Sequence, residues 1–146
     1  MSKLAWPMLS ISKDDNEIVK RIRDYPGVLK SVESRDILMV AASLAVDLKI
    51  PETPPQLETR GSDIMNGPTL GSDPLESYRQ KMLVIYYATV AKGDLSTMND
   101  AKAIVENFKD YAHRGLLYLE NNYLTRDGDE KLRSYFGEKL NRFKKQ

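Results

Sequence analysis

The 146-residue chain contains no cysteine, which removes thiol nucleophiles, disulfide staples and thiolate metal sites from the chemistry open to it. With His113 as its one histidine, it cannot build a two-histidine metal site, and acid–base chemistry through imidazole has one candidate. No apolar run approaches the roughly 20 residues of a membrane span, and the opening MSKLAWPMLSISKDD lacks the apolar core of a signal peptide. A reducing, cytoplasmic setting without membrane association is therefore expected. A Walker lysine, a GxGxxG loop, an internal repeat and a strand-like alternation of useful length are all missing. No cofactor is expected, and no catalytic constellation is legible.

The formal net charge is +1, so no global field favours nucleic acid. Its distribution is uneven: residues 1–35 hold seven Lys/Arg against five Asp/Glu, residues 126–146 seven against four, and the middle eight against twelve. The ends are mildly basic and the middle acidic, although ordinary solvated helix surface accounts for most charges of this density.

What the chain does have is helical periodicity. Ser12 can cap a helix whose stripe is Ile18, Val19, Ile22 and Tyr25, ended by Pro26-Gly27. A second helix, over 34–48 with Ser34 as cap, is apolar over more than one face and should lie centrally. Residues 49–73, with four prolines and three glycines, read as a long loop of the kind that is functional or mobile. Asp73-Pro74-Leu75-Glu76 then looks like a capped start to a helix with the stripe Tyr78, Met82, Ile85, Tyr86 and Val90, stopping at Gly93. The longest helix, over 99–123, runs Ile104, Phe108, Tyr111, Ala112, Gly115, Leu116, Leu119 and Tyr123 along one face. A last helix, over 129–143, should bury Leu132, Tyr135, Phe136, Leu140 and Phe143. The expectation is an all-α, single-domain bundle of about five helices with tails at 1–11 and 144–146.

Gly115 is the odd residue, since a helix interior disfavours glycine by about 1 kcal/mol relative to alanine. Its place on the apolar face, after Tyr111 and Ala112, points to a close helix crossing rather than a kink. His113 sits at the edge of that stripe and reads as a surface or boundary histidine, with Asp110 in reach to orient it and Arg114 placed to pair with Asp110. The acidic run DGDE at 127–130 lacks the remaining ligands of a calcium loop and reads as a helix start capped by Asp127 or Asp129.

Arg60 and the amides of TRGSD at 59–63 could surround a phosphate, but a connector fits better. Trp6 either closes the bundle or, with the Arg60 loop, anchors a partner; core closure is the preferred role. The second helix has the alanine-rich look of a helix-turn-helix, yet Pro51, Pro54 and Pro55 stand where a recognition helix should begin. The basic residues Lys20, Arg21, Arg23, Lys139, Arg142, Lys144 and Lys145 would serve nonspecific contact with DNA or RNA if the fold brought them together.

Two blocks, RDILMVAASLAV at 35–46 and ENFKDYAHRGLLYLENNYL at 106–124, are joined by a helix of the PLESYRQKMLVIYYATVAKGDL type. Together they resemble the small Dnd-system-associated proteins encoded beside prokaryotic DNA phosphorothioation genes. The resemblance spans residues 12–125 and makes Gly115 a packing element of the longest helix. It implies a setting, antiviral DNA modification and restriction, and supplies no catalytic residue. The function expected is that of a non-enzymatic accessory protein binding another protein of a defence system. Alternatives are a nucleic-acid-binding module using the basic ends, or a small metal-dependent nuclease or hydrolase using scattered carboxylates. A homodimer, formed through helix 34–48 or the tyrosine-rich face of 78–87, is as open as a monomer.

Overall fold

The computed structural model describes residues 5–52, 61–91 and 99–144, with residues 91, 140 and 142–144 described by backbone only. In chain order these residues form β1 (Leu9–Ser10), α1 (Lys13–Asp24), α2 (Ser34–Asp47), β2 (Asp63–Met65), α3 (Gly67–Leu70), α4 (Glu76–Tyr86), α5 (Ala101–Asn122) and α6 (Gly128–Lys144). The all-α expectation holds, and the five long helices are those the periodicity predicts. A sixth, one-turn helix and a two-stranded antiparallel sheet come in addition.

These additions correct the reading of 49–73 as one loop. Leu9 lies opposite Met65, Ile11 donates its N–H to the Ser62 carbonyl at 3.0 Å, and Leu9 and Met65 are both buried. Asn66 caps α3 by accepting from the Thr69 N–H at 2.8 Å. Strands of two and three residues carry no readable alternation, which is why the pattern hid them. Residues 53–60, and Arg60 with them, lie outside the described residues. Trp6 is half-buried against the core, and the Arg79 guanidinium stands 6.0 Å from its ring. Arg79 also donates to the carbonyls of Leu70 and Ser72. Trp6 thus closes one end of the bundle.

Ser12 accepts from the Asp15 N–H at 3.1 Å, and α1 buries Ile18, Val19 and Ile22 as its stripe requires. α2 begins at Ser34 itself, with Glu33 in the cap position, and buries seven residues from Ile37 to Ala45. The start of α4 also differs from expectation. Asp73–Leu75 form a tight 3₁₀ turn preceded by Ser72, so the α-helix proper opens at Glu76. Tyr78, Met82, Ile85 and Tyr86 are buried as expected, whereas Val90 is 54% exposed. The reason is local: Tyr87–Ala91 widen into a π-helical turn that takes Val90 off the 3.6-residue stripe. The expected stop at Gly93 falls outside the described residues.

α5 is the central element, and Asp100 caps it by accepting from the Ala103 N–H at 3.1 Å. It buries Ile104, Val105, Phe108, Ala112, Gly115, Leu116 and Leu119, with Tyr123 1% exposed just beyond its end. α6 is less deeply seated than the pattern predicts. Leu132 is buried, while Tyr135 and Phe136 are only half-buried and pack edge-on against each other. Leu140 and Phe143 lie outside the described side chains. Polar anchors hold α6 to the body: Tyr135 donates to Asp47, Lys139 pairs with Asp47 at 2.9 Å, and Asp129 accepts from the Val28 N–H at 2.7 Å.

Gly115 answers to its expected role. A Cβ built there would stand 1.8 Å from the Ala41 carbonyl oxygen and 2.7 Å from its Cα. The obstacle is backbone, so no rotamer change can relieve it, and α2 and α5 would have to separate. Gly115→Ala is expected to lower stability by about 3 kcal/mol despite alanine's better helix propensity. In urea melts the midpoint should fall at unchanged slope; a midpoint equal to or above the wild type would show that the two backbones do not meet there.

Candidate functional site

One series of polar contacts runs along the seam between α1 and α5. Asp15 meets His113 at 2.8 Å, Arg21 meets Glu120 at 2.9 Å, and the Tyr25 hydroxyl donates to the Thr125 carbonyl at 2.5 Å. Partners advance together along both helices, so α1 and α5 run in the same direction. The deepest pair is Asp15 with His113, whose side chains are 7% and 13% exposed.

His113 is therefore a half-buried boundary residue, as one of the expected alternatives has it, but Asp110 does not orient it. Its Nδ1 faces the Asp15 carboxylate of the neighbouring helix, and Asp110 is taken by Arg114 at 2.5 Å, as the i,i+4 spacing predicts. The hydrogen bond to Asp15 raises the His113 pKa above its ordinary value of 6.5; burial opposes this, and the charges of Asp15 and Asp110 add to it. Sequence reasoning missed Asp15. The available signal was its spacing, because positions 15, 18, 19 and 22 form one helical stripe and put a carboxylate on the buried face.

Arg114 is half-buried beside this pair. Its guanidinium lies 4.3 Å from the Tyr111 ring, Nη1 donates to the Ile50 carbonyl at 3.3 Å, and the Nε–H is buried without a hydrogen-bond partner. Tyr111, Ala112 and Gly115 are thus all structural: a cover for Arg114, a core residue and the contact with α2.

Three of the seven basic residues proposed for nucleic acid make contacts within the fold. Arg21 pairs with Glu120, Arg23 donates to the Val32 carbonyl at 2.8 Å, and Lys139 pairs with Asp47. Lys20 is exposed. The side chains of Arg142 and Lys144, and Lys145 entirely, are outside the described residues. Within DGDE, helix α6 starts at Gly128, and Asp129 turns its oxygens to protein donors, the Val28 N–H and Arg133 Nε, each at 2.7 Å. The Val28 N–H leads in holding this carboxyl below its usual range, with Arg133 next. Among the described residues no group of three or more His, Cys, Asp or Glu is placed to hold a metal.

The faces expected to dimerise are partly spent. α2 is buried by its own chain, as are Tyr78 and Tyr86. Two of the buried tyrosines use their hydroxyls within the fold: Tyr78 donates to the Arg35 carbonyl at 2.6 Å, and Tyr123 accepts from the Leu29 N–H at 3.2 Å. What stays open is the outer side of α4 and its π turn, where Val84 is 66%, Tyr87 43% and Val90 54% exposed. They are half of the six large hydrophobic residues exposed on the described surface. The outer face of α1, by contrast, carries Lys13, Asp14, Glu17, Lys20 and Asp24. A shallow groove beside Val84 is lined by Ser43, Ser77, Gln80, Lys81 and Ile85.

The Asp15–His113 pair sets a pH dependence with a definite sign. The folded pKa of His113 is raised, so the stability it contributes is complete below about 6.5 and is lost as pH rises through the folded value. A histidine proton titration by NMR is expected to give a pKa above 6.5 that falls in Asp15→Asn, and the melting temperature should decline on alkaline titration in the wild type but not in His113→Asn. A titration at or below 6.5 would contradict the pairing.

No family model matches the chain, and neither a curated protein nor a solved structure matches it.

Proposed function

We propose that the protein is a non-enzymatic accessory component of a prokaryotic antiviral defence system linked to DNA phosphorothioation, acting in the cytoplasm by binding protein. The observation that carries the binding part is the apolar outer side of α4, with Val84, Tyr87 and Val90 exposed, whereas the outer face of α1 is charged. Solvent-facing apolar groups grouped within two turns are the kind of surface that a protein partner covers. The setting rests on the likeness of residues 35–46 and 106–124 to the Dnd-associated proteins.

His113 fits this reading as part of the scaffold. Its Nδ1 is held by Asp15 in the helix seam and its side chain is 13% exposed, so the pair ties α1 to α5. The nucleic-acid reading draws on Lys20 and on Arg21, which remains 57% exposed despite its ion pair. It predicts a steep fall of affinity with salt, whereas contact through Val84 and Tyr87 predicts a shallow one.

Tagged protein recovered from its native host, with and without nuclease treatment, separates the two. Nuclease-resistant recovery of a defence-system protein from wild type, reduced about tenfold or more by Val84→Glu, is expected. Recovery of nucleic acid, with all protein partners lost on nuclease treatment and Val84→Glu without effect, would instead move the function to the basic ends.

A further inference from the structure

The helices differ in how much apolar surface holds them. α1 buries Ile18, Val19 and Ile22 within 12 residues, and α5 buries eight residues within 22. In the 17-residue α6, Leu132 is the one buried hydrophobic among the described side chains. Nor does α6 close fully on the body. A cleft of about 70 Å³, enough for water to enter, lies between Leu44 of α2, Tyr118 and Leu119 of α5, Tyr123, and Leu132 and Tyr135 of α6. The ties beyond it are polar: Tyr135 donates to Asp47, and Lys139 pairs with the same carboxylate with side chains 41% and 39% exposed. Ion pairs as open as this one hold little, because water competes for both partners.

Gly137 weakens the helix itself. At Gly115 the missing side chain makes room for Ala41, but a Cβ at Gly137 would have nothing within 4 Å. Glycine there lowers helix stability and relieves no clash. A short helix with an interior glycine does not hold its form in water once its contacts part, so α6 unwinds as it leaves the body. Its first turn is better fixed. Asp129 accepts from the Val28 N–H at 2.7 Å, and a Cβ at Gly128 would stand 2.0 Å from the Tyr123 carbonyl oxygen.

We infer that α6 is a lid: residues 132–139 unfold and refold locally, hinged at the first turn of the helix, while α1, α2, α4 and α5 keep their packing. The closed lid hides Leu44 and Leu119, which are 2% and 0% exposed, and the open one gives water and small solutes access to them.

Native-state hydrogen exchange of the full chain tests this. Amides of residues 132–139 are expected to exchange at least about tenfold faster than those of residues 108–119 on α5, and low urea should speed them less, because a local opening exposes less surface than global unfolding. Leu116 and Leu119 supply a matched pair for a second readout. Both lie on α5 at 0% exposure, and of the two only Leu119 lines the cleft. In a chain without cysteine, the thiol of Leu119→Cys should react with a soluble thiol reagent about tenfold or more faster than that of Leu116→Cys. Adding Gly137→Ala to Leu119→Cys should slow that labelling about fivefold. Residues 132–139 that exchange as slowly as α5 with the same urea dependence overturn the inference, and so do equal labelling of the two thiols or labelling unmoved by Gly137→Ala. The wild-type exchange decides the matter by itself if either leucine variant fails to fold.

Discussion

Where Gly115 meets Ala41, α5 and α2 approach until a single methyl group would overlap a carbonyl oxygen. Ordinary helix pairs keep their axes 8–10 Å apart because side chains fill the space between them. A glycine facing an alanine removes that filling, and the larger residues on either side then close over the contact. Phe108, Leu116 and Leu119 on α5, and Leu38 and Leu44 on α2, are all 2% exposed or less. The remaining elements take their places against this pair. α4 brings Tyr78 to the Arg35 carbonyl and to the edge of the Phe108 ring, and α1 lays its stripe along α5.

Polar interactions lie at the margins of this core and do a different job. Asp15 is the one charged residue among the described buried ones, and a carboxylate at that depth is tolerated because a helix-cap hydroxyl holds its amide and an imidazole meets its oxygen. Such a pair adds less to net stability than its short distance suggests, since desolvation offsets much of the attraction. Its effect is on register. A one-turn slip of α1 toward the C-terminus of α5 would set the Asp15 carboxylate against Leu116 and Leu117 in place of the imidazole. A second fixed point lies at the other end of the seam, where Tyr123 and Asp129 receive the chain turn through Leu29 and Val28. A Cβ at Gly27 would meet the Tyr123 hydroxyl at 2.4 Å and the Asp129 Oδ1 at 2.5 Å, so a larger residue there would push these side chains aside.

The helices, their buried faces and the role of Gly115 were legible because they follow from periodicity, which is local. Features made by residues distant in sequence were not. Leu9 pairs with Met65 across α1, α2 and a stretch of prolines, His113 with Asp15 across most of the chain, and Tyr135 with Asp47 across three helices. Val90 was misplaced for another reason: the period itself changes where α4 widens at Tyr87. The exposed side of α4 was visible in outline as a tyrosine-rich segment. Which tyrosines faced outward depended on the helices that cover Tyr78 and Tyr86, and only Tyr87 was left free of them.

The same-direction alignment of α1 and α5 has a consequence for how the chain is made. Two helices that run in parallel with partners 98 and 99 residues apart cannot zip together from a shared turn. At 5–20 residues per second, a ribosome that has released α1 needs roughly 5–20 s more to release the helix that covers it. Through that interval Ile18, Val19 and Ile22, and the largely apolar α2 behind them, have no α5 to cover them. Folding then waits on long-range closure rather than on local helix formation, so the nascent chain, more than the finished protein, is where chaperones would matter.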